Sequence, residues 1–115
     1  MKIEVRGKNV EVTDELREAV VQRFQRVGKQ VSEFATLEVE LYEEKNPRIT
    51  DRMVAEGVLG LKGVTLVAKE ASPDMVHSIH ELAEDIRRQV KRHREKRRKR
   101  QTTRKMMERL RGETA

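Results

Sequence analysis

The sequence has no cysteine and no tryptophan, and Phe24, Phe34 and Tyr42 are its only phenylalanine or tyrosine residues. A chain without cysteine forms no disulfide and offers no thiolate to a substrate or metal, which is typical of a reducing compartment. No apolar run approaches the roughly 20 residues that span a membrane, and Glu4 interrupts any signal-peptide core. These absences predict a cytoplasmic protein without a membrane partner.

Positive charge is concentrated at the C-terminal end of the chain. Residues 1–86 contain 12 Lys/Arg and 17 Asp/Glu, whereas residues 87–115 contain 14 Lys/Arg and 3 Asp/Glu. A segment with so many cations and so few apolar side chains cannot form a core, and it favours a polyanionic partner such as nucleic acid. We therefore expect a folded domain over residues 1–98 and a basic extension over residues 99–115, either disordered or the start of a linker.

The spacing of apolar residues predicts the element order β-α-β-β-β-α. Thr13 is expected to cap the first helix, whose apolar stripe runs from Leu16 to Val31. Ser72-Pro73-Asp74 is expected to start the second, with Ser72 as the cap and Pro73 at the first helical position, and its apolar stripe runs to Val90. Alternating or apolar-rich runs predict the four strands, at residues 2–6, 37–42, 53–61 and 64–71.

This order predicts an α+β fold, a two-layer sandwich of a four-stranded sheet with two side-by-side helices on one face. Leu37, Val39 and Leu41 alternate with polar side chains, so only one face of the sheet is apolar and both helices must cover it. A right-handed β-α-β crossover should make the first two strands parallel. A groove should then separate the two helices.

Cationic residues follow the helical repeat in both predicted helices. On the first helix, Arg23 and Arg26 share one flank of the apolar stripe, and Lys29 lies further round. If one flank of each helix lines the groove, phosphates would bind there with an affinity that falls as salt rises. Ordinary solvated surface is an equal alternative for the first-helix cations alone. The second helix carries one stripe of Arg87, Lys91, Arg94 and Arg98, and an opposite one of Arg88, Arg92, Lys96 and Lys99.

Other chemistry finds little support in the sequence. His77 and His80 are three residues apart rather than four, which does not favour a zinc site. No phosphate-binding loop, nucleophile elbow or metal motif is present. With few aromatic rings, contacts should be to phosphate and sugar rather than through stacked bases. We expect no enzyme, no cofactor, no metal and no small-molecule substrate.

Short stretches in order along residues 2–98 carry a resemblance to a known family. They are Gly7-Lys8-Asn9-Val10-Glu11-Val12-Thr13-Asp14, Val39-Glu40-Leu41, Glu44-Lys45-Asn46-Pro47-Arg48, Lys69-Glu70-Ala71, Asp74-Met75 and Arg87-Arg88-Gln89-Val90-Lys91-Arg92-His93-Arg94. The chain resembles the N-terminal domain of the ribosome hibernation-promoting factor family, which includes the ribosome-associated inhibitor proteins and the plastid factor.

The resemblance implies the same sandwich, similar to double-stranded-RNA-binding domains. It also implies binding to ribosomal RNA of the small ribosomal subunit, in the channel of mRNA and the A- and P-site tRNAs. Such binding inhibits translation and protects idle ribosomes under stress and in stationary phase. The RNA-binding role carries over by position to Arg23, Arg26, Lys29, Lys45, Arg48, Arg87, Arg88, Lys91, Arg92 and Arg94, and Arg98 continues the same stripe.

Several alternatives stay open at this point. Val76 and His77 occupy a region where the family often has a tyrosine. Long members of the family add a linker and a domain that pairs two ribosomes, so the chain is either a short member or a fragment of a long one. A general RNA-binding adaptor or RNA chaperone is the main rival function. A protein-interaction module whose basic tail docks an acidic partner is another.

Overall fold

The computed structural model describes the backbone of residues 1–113 and the side chains of residues 1–111, and its element order follows the predicted one. The α+β fold class is confirmed, with the first helix divided in two. The strands are β1 (Lys2–Gly7), β2 (Thr36–Glu43), β3 (Met53–Leu61) and β4 (Val64–Ser72), and the helices are α1 (Asp14–Arg23), α2 (Gln25–Gln30) and α3 (Met75–Glu113).

The sheet has the strand order β1-β2-β3-β4. β1 and β2 are parallel, as the crossover predicts, while β2–β3 and β3–β4 are antiparallel. β3 and β4 are joined at Lys62-Gly63, where Gly63 has a φ of +80°. This left-handed conformation favours glycine and makes a tight turn possible. The predicted hairpin connection is therefore confirmed.

The core lies between the helices and one face of the sheet. Leu37, Leu41 and Leu59 are fully buried on that face, and Leu37 and Leu59 are directly paired across β2 and β3. Burying side chains of this size contributes about 1.5–3 kcal/mol each. The predicted apolar stripes supply the other half of the core, with Val20, Phe24 and Val27 from the first helical segment and Ile79, Leu82, Ile86 and Val90 from α3.

The first helical segment is interrupted at Phe24, where sequence periodicity predicts one continuous helix. Phe24 has φ −93° and ψ 5°, a bridge conformation between the α and β regions. Its N–H still donates to the Val20 carbonyl and its own carbonyl accepts from the Gly28 N–H, both at 3.0 Å. The predicted cap is confirmed, because the Leu16 N–H donates to Thr13 Oγ1 at 3.2 Å.

The start of α3 differs from the predicted one. Ser72 is the buried last residue of β4, so the predicted cap at Ser72 is wrong. Asp74 takes that role, since its Oδ2 accepts the His77 N–H at 3.1 Å. One turn later, the hydroxyl of the fully buried Ser78 donates to the Met53 carbonyl at 2.6 Å. This bond ties the first turn of α3 to the beginning of β3.

Helix α3 is much longer than the apolar stripe that anchors it. It has 39 residues, and at 1.5 Å per residue it is about 58 Å long. Side chains from Arg98 to Arg111 are exposed, and the described chain measures 69 × 29 × 18 Å. No break in α3 marks the predicted boundary after residue 98. In residues 1–113, no helix combines the length and apolar character needed to cross a membrane.

Candidate nucleic-acid interface

The strand register makes the helices run in the same direction. Gly7, at the end of β1, pairs with Leu41, which pairs with Ala55 and through it with Glu70 near the end of β4. The C-terminal ends of β1 and β4 therefore lie at the same end of the sheet, and the helices that follow them start there. We call the depression between the α1–α2 segment and α3 the helical groove.

The first-helix cations line the part of this groove nearest the start of α3. Arg23, Arg26 and Lys29 surround a depression of about 370 Å³, together with His80 and Glu84 of α3. All three cationic side chains are exposed. They are thus grouped on one wall and available to an anionic ligand.

Arg87 lies further along α3, and its charge is already compensated. Its Nη2 donates to Glu84 Oε2 at 2.8 Å, and both side chains are about one-third exposed. This hydrogen bond is the main reason why the pKa of the Glu84 carboxyl is lowered. The buried Nε of Arg87 has no hydrogen-bond partner among the described residues. A phosphate at Arg87 must compete with Glu84, which is not so for the exposed Lys91.

The far end of the groove opens into a cavity of about 460 Å³, which we call the end cavity. Lys62 from the β3–β4 turn, His93, Arg94 and Arg97 from α3, and Phe34 from the loop before β2 contribute to its lining. Of the residues that line it, all described, none is acidic. Arg94 belongs to the predicted stripe, whereas Lys62, Phe34 and Arg97 are not among the site residues predicted from the sequence.

A signal for Lys62 and Arg97 was present in the sequence. The predicted crossover sets the direction of the helices, and the hairpin turn at Lys62-Gly63 must then lie at the end of the sheet toward which α3 runs. The length of the sheet along its strands, divided by the helical rise of 1.5 Å per residue, determines which residue of α3 reaches this turn. In the structure Arg97 lies there and lines the end cavity together with Lys62.

The second cationic stripe of α3 lies on the opposite flank, beside β4. Gln89 marks this flank, because its Nε2 donates to the Val67 carbonyl at 3.0 Å. Arg92 and Lys96 line a shallow depression there with Val64 and Leu66. The two stripes therefore lie on different flanks of α3, and of the first stripe Arg94 lines the end cavity and Arg87 is paired with Glu84 of the groove.

Acidic residues accompany the second stripe near its start. Burial is the main reason why the pKa of the Glu70 carboxyl is raised, and a hydrogen bond with Asp85 adds to the shift. The charges of Asp85 and Glu81 raise it further, and that of Arg88 opposes them. The positive charge of Arg88 is thus partly compensated, in contrast to that of Arg92 further along the helix.

Lys45 and Arg48 lie in the exposed loop between β2 and β3. This loop lies at the end of the sheet where α3 begins, because the carbonyl of Met53, just after the loop, accepts a hydrogen bond from the Ser78 hydroxyl. Arg94 is 16 residues further along the helix, or about 24 Å. The structure therefore does not bring the loop cations together with those of the end cavity.

The two histidines near the start of α3 do not form a metal site. The His77 and His80 ring centroids are 6.4 Å apart, and His77 Nε2 lies 3.8 Å from Glu81 Oε1. Across the described residues, no group of three or more His, Cys, Asp or Glu side chains could hold a metal ion.

The fold and this interface together define a class: small two-layer α+β domains whose parallel helices enclose a cationic groove. The chain belongs to the family described as Sigma 54 modulation protein / S30EA ribosomal protein, whose family model matches residues 3–98. The resemblance to the hibernation-promoting factor family seen in the sequence is confirmed.

Curated relatives support this membership. A protein of Picosynechococcus sp. named ribosome hibernation promotion factor is 32% identical over 97 residues, which cover 84% of this chain and 50% of the relative. A Pseudomonas putida ribosome hibernation promoting factor is 31% identical over 96 residues, covering 84% of this chain and 89% of the relative. The chain thus spans about half of the first relative's length and most of the second's.

Solved structures show the same fold. The N-terminal domain of Thermus thermophilus Protein Y matches with a TM-score of 0.70 and 24% identity, covering 81% of this chain and 99% of that one. A ribosomal subunit interface protein from Coxiella burnetii also matches with a TM-score of 0.70, at 20% identity, covering 82% and 98%. The predicted sandwich is therefore an established architecture.

Proposed function

We propose that this chain is a ribosome hibernation factor that acts in the cytoplasm. It binds the small ribosomal subunit in the channel of mRNA and the A- and P-site tRNAs, inhibits translation and protects idle ribosomes under stress. The family match and the names of the relatives support this proposal. The observation that carries it is the helical groove, which has exposed cations on both walls. The role is one of binding and not of catalysis.

The cations contribute to different degrees. Arg23, Arg26 and Lys29 on one wall and Lys91 and Arg94 on the other bind phosphates of ribosomal RNA, releasing counterions as they do so. Arg87 contributes less because it is paired with Glu84. The remaining cations reach separate segments of RNA: Arg88 and Arg92 from the β4 flank, Arg98 from the projecting part of α3, and Lys45 and Arg48 from the loop.

Charge reversal in the groove tests this proposal. The double variant Lys91→Glu, Arg94→Glu should weaken co-sedimentation with small subunits in sucrose gradients by at least about tenfold, because two phosphate contacts become repulsive. The matched control is Glu38→Lys, Glu40→Lys on the outer sheet face, which should retain binding. Equal losses in both double variants would place the interface elsewhere.

Salt and competitor measurements separate the rival functions. Binding of the wild-type chain should fall steeply with rising salt, and binding that is unchanged at high salt would contradict the phosphate contacts. Equal affinity for free duplex RNA and for small subunits would instead favour a general RNA-binding adaptor or RNA chaperone. An association in a lysate that survives nuclease treatment would favour the protein-interaction module.

A further inference from the structure

Phe34 exposes an aromatic ring beside the end cavity. It is 85% exposed, the highest value among the exposed large hydrophobic residues of the described chain. Its loop is held by local bonds, since the Phe34 N–H donates to Ser32 Oγ at 3.1 Å and the Ala35 N–H to the Ser32 carbonyl at 3.0 Å. The Ala35 carbonyl accepts from the Lys2 N–H at 2.9 Å, which ties the loop to β1. The ring is therefore presented by an ordered segment.

Cationic residues line the same cavity. Lys62 stands at the turn that Gly63 makes possible, while Arg94 and Arg97 are three residues apart on one face of α3. Gly60 contributes a stretch of lining without a side chain, and a Cβ there would lie 2.9 Å from Thr36 Oγ1. At about 460 Å³, the cavity is within the range of about 300–1,000 Å³ of small-molecule sites.

We propose that the end cavity binds one unstacked nucleotide, with its base against the Phe34 ring and its phosphate between Lys62, Arg94 and Arg97. A phosphate alone would contact the three cations and not the ring, and an apolar ligand would contact the ring and not the cations. A nucleotide would contact both, since aromatic rings stack on bases and cations neutralise phosphates. Such a site adds a contact to a base, whereas the scarcity of aromatic residues in the sequence predicts contacts to phosphate and sugar alone.

The nucleotide has two possible sources, a free mononucleotide or one residue of an RNA chain. In the second case the inference rests on the proposed function, because the RNA would be ribosomal. The shared chemistry is an aromatic base joined to a phosphate. An assay without ribosomes tests the cavity by itself, so that its result does not depend on whether the chain binds the small subunit.

Nuclear magnetic resonance titration of the full chain provides that assay. Adenosine monophosphate and a single-stranded hexaadenylate are the probes, and ribose 5-phosphate is the probe without a base. We expect a nucleotide probe to shift the amide signals of Phe34 and Gly63. Phe34→Ala should weaken nucleotide binding by about fivefold to a hundredfold and leave ribose 5-phosphate unchanged, because only the base stacks on the ring.

Three variants complete the design. Phe34→Tyr should retain nucleotide binding because it keeps a ring, and Lys62→Ala should weaken nucleotide and ribose 5-phosphate binding alike. Val67→Ala is the matched control, since Val67 is 60% exposed on the opposite face of the sheet. None of the substituted side chains belongs to the core, so the fold should persist.

The outcomes divide cleanly. Phe34-dependent binding of adenosine monophosphate supports the site for free nucleotides, and Phe34-dependent binding of hexaadenylate alone supports it for a residue of RNA. Binding of neither probe, or equal binding by wild type and Phe34→Ala, overturns the proposal. The titration uses no ribosomes and leaves Arg94 unchanged, so its failure is distinguishable from a failure of the charge-reversal experiment on small subunits.

Discussion

Two glycines, Gly57 in β3 and Gly28 in α2, show how the effect of a substitution depends on the surroundings of the residue. Gly57 lies on the inner sheet face, and a Cβ there would be 3.2 Å from the fully buried Leu82. Gly28 lies in α2, where a Cβ would meet only Met1 Cε, at an ordinary 3.6 Å. Space is thus absent at the first position and present at the second.

Alanine at these two positions should have opposite effects. Gly57→Ala should lower the free energy of unfolding by about 1–3 kcal/mol because it overpacks a closed core. Gly28→Ala should raise it by about 0.5–1 kcal/mol through better helix propensity. Urea denaturation of both variants beside the wild type measures the difference. A destabilised Gly28→Ala, or a Gly57→Ala as stable as the wild type, would contradict the described packing.

The value of a single cation also depends on its neighbours. Arg87 and Arg94 are seven residues apart and lie on the same face of α3. Arg87 is paired with Glu84, whereas Arg94 lines a cavity that has no acidic residue in its lining. The sequence predicted the stripe and not this difference, because Glu84 and Arg87 could equally have been solvated separately. Only the half-buried geometry shows which cation is compensated.

At the scale of the element, apolar periodicity predicted most of what the structure contains. Strands with an alternating pattern, such as Leu37–Leu41, and the stripe from Met75 to Val90 were predicted because burial itself imposes the period. The ends were harder. Serine and aspartate are both favourable N-cap residues, and Asp74 caps α3 because β4 continues through Ser72, which pairs with Met53. The break at Phe24 leaves the apolar stripe intact and so leaves no trace in the pattern.

Two glutamates, one in β4 and one in α3, should make the stability of the fold depend on pH in opposite ways. Glu70, in β4, has a raised pKa, so the stability that it contributes is present below the ordinary glutamate pKa of about 4.3 and is lost as pH rises through the raised value. Glu84, in the groove, has a lowered pKa, so its contribution is present above about 4.3 and is lost as pH falls through the lowered value.

Glutamine substitutions test these signs. Glu70→Gln should be more stable than the wild type at neutral pH, and Glu84→Gln less stable, with both differences vanishing in acid well below the ordinary pKa. Each effect should be small because neither carboxyl is deeply buried. Urea denaturation midpoints measured across the pH range check the pair, with each variant serving as the other's control. Differences of the same sign for both would refute the assignment.

At the scale of the whole molecule, the sandwich and the projecting part of α3 should be separable. Removal of residues 102–115 should change the free energy of unfolding by less than about 0.5 kcal/mol, since the described side chains in that segment are exposed. It should also weaken binding to small subunits and reduce its salt dependence, because Arg104, Lys105, Arg109 and Arg111 are lost.

The matched control for this truncation is the untruncated chain with those four cations replaced by glutamine. If charge is responsible, both proteins should lose the same share of affinity in sedimentation assays. A truncated chain that unfolds more easily would show that the segment belongs to the folded domain. Undiminished affinity in either protein would exclude the projection as a binding element.

The unbroken course of α3 makes it a lever. The part from Met75 to Val90 is anchored by its apolar stripe and, near its start, by the Ser78–Met53 bond, and about 34 Å of helix extends beyond Val90. A tilt of the anchored part by about 5° would move the tip by about 3 Å. A force applied at the tip would be transmitted to the sheet, so contacts far from the sandwich can set its angle on any surface that it binds.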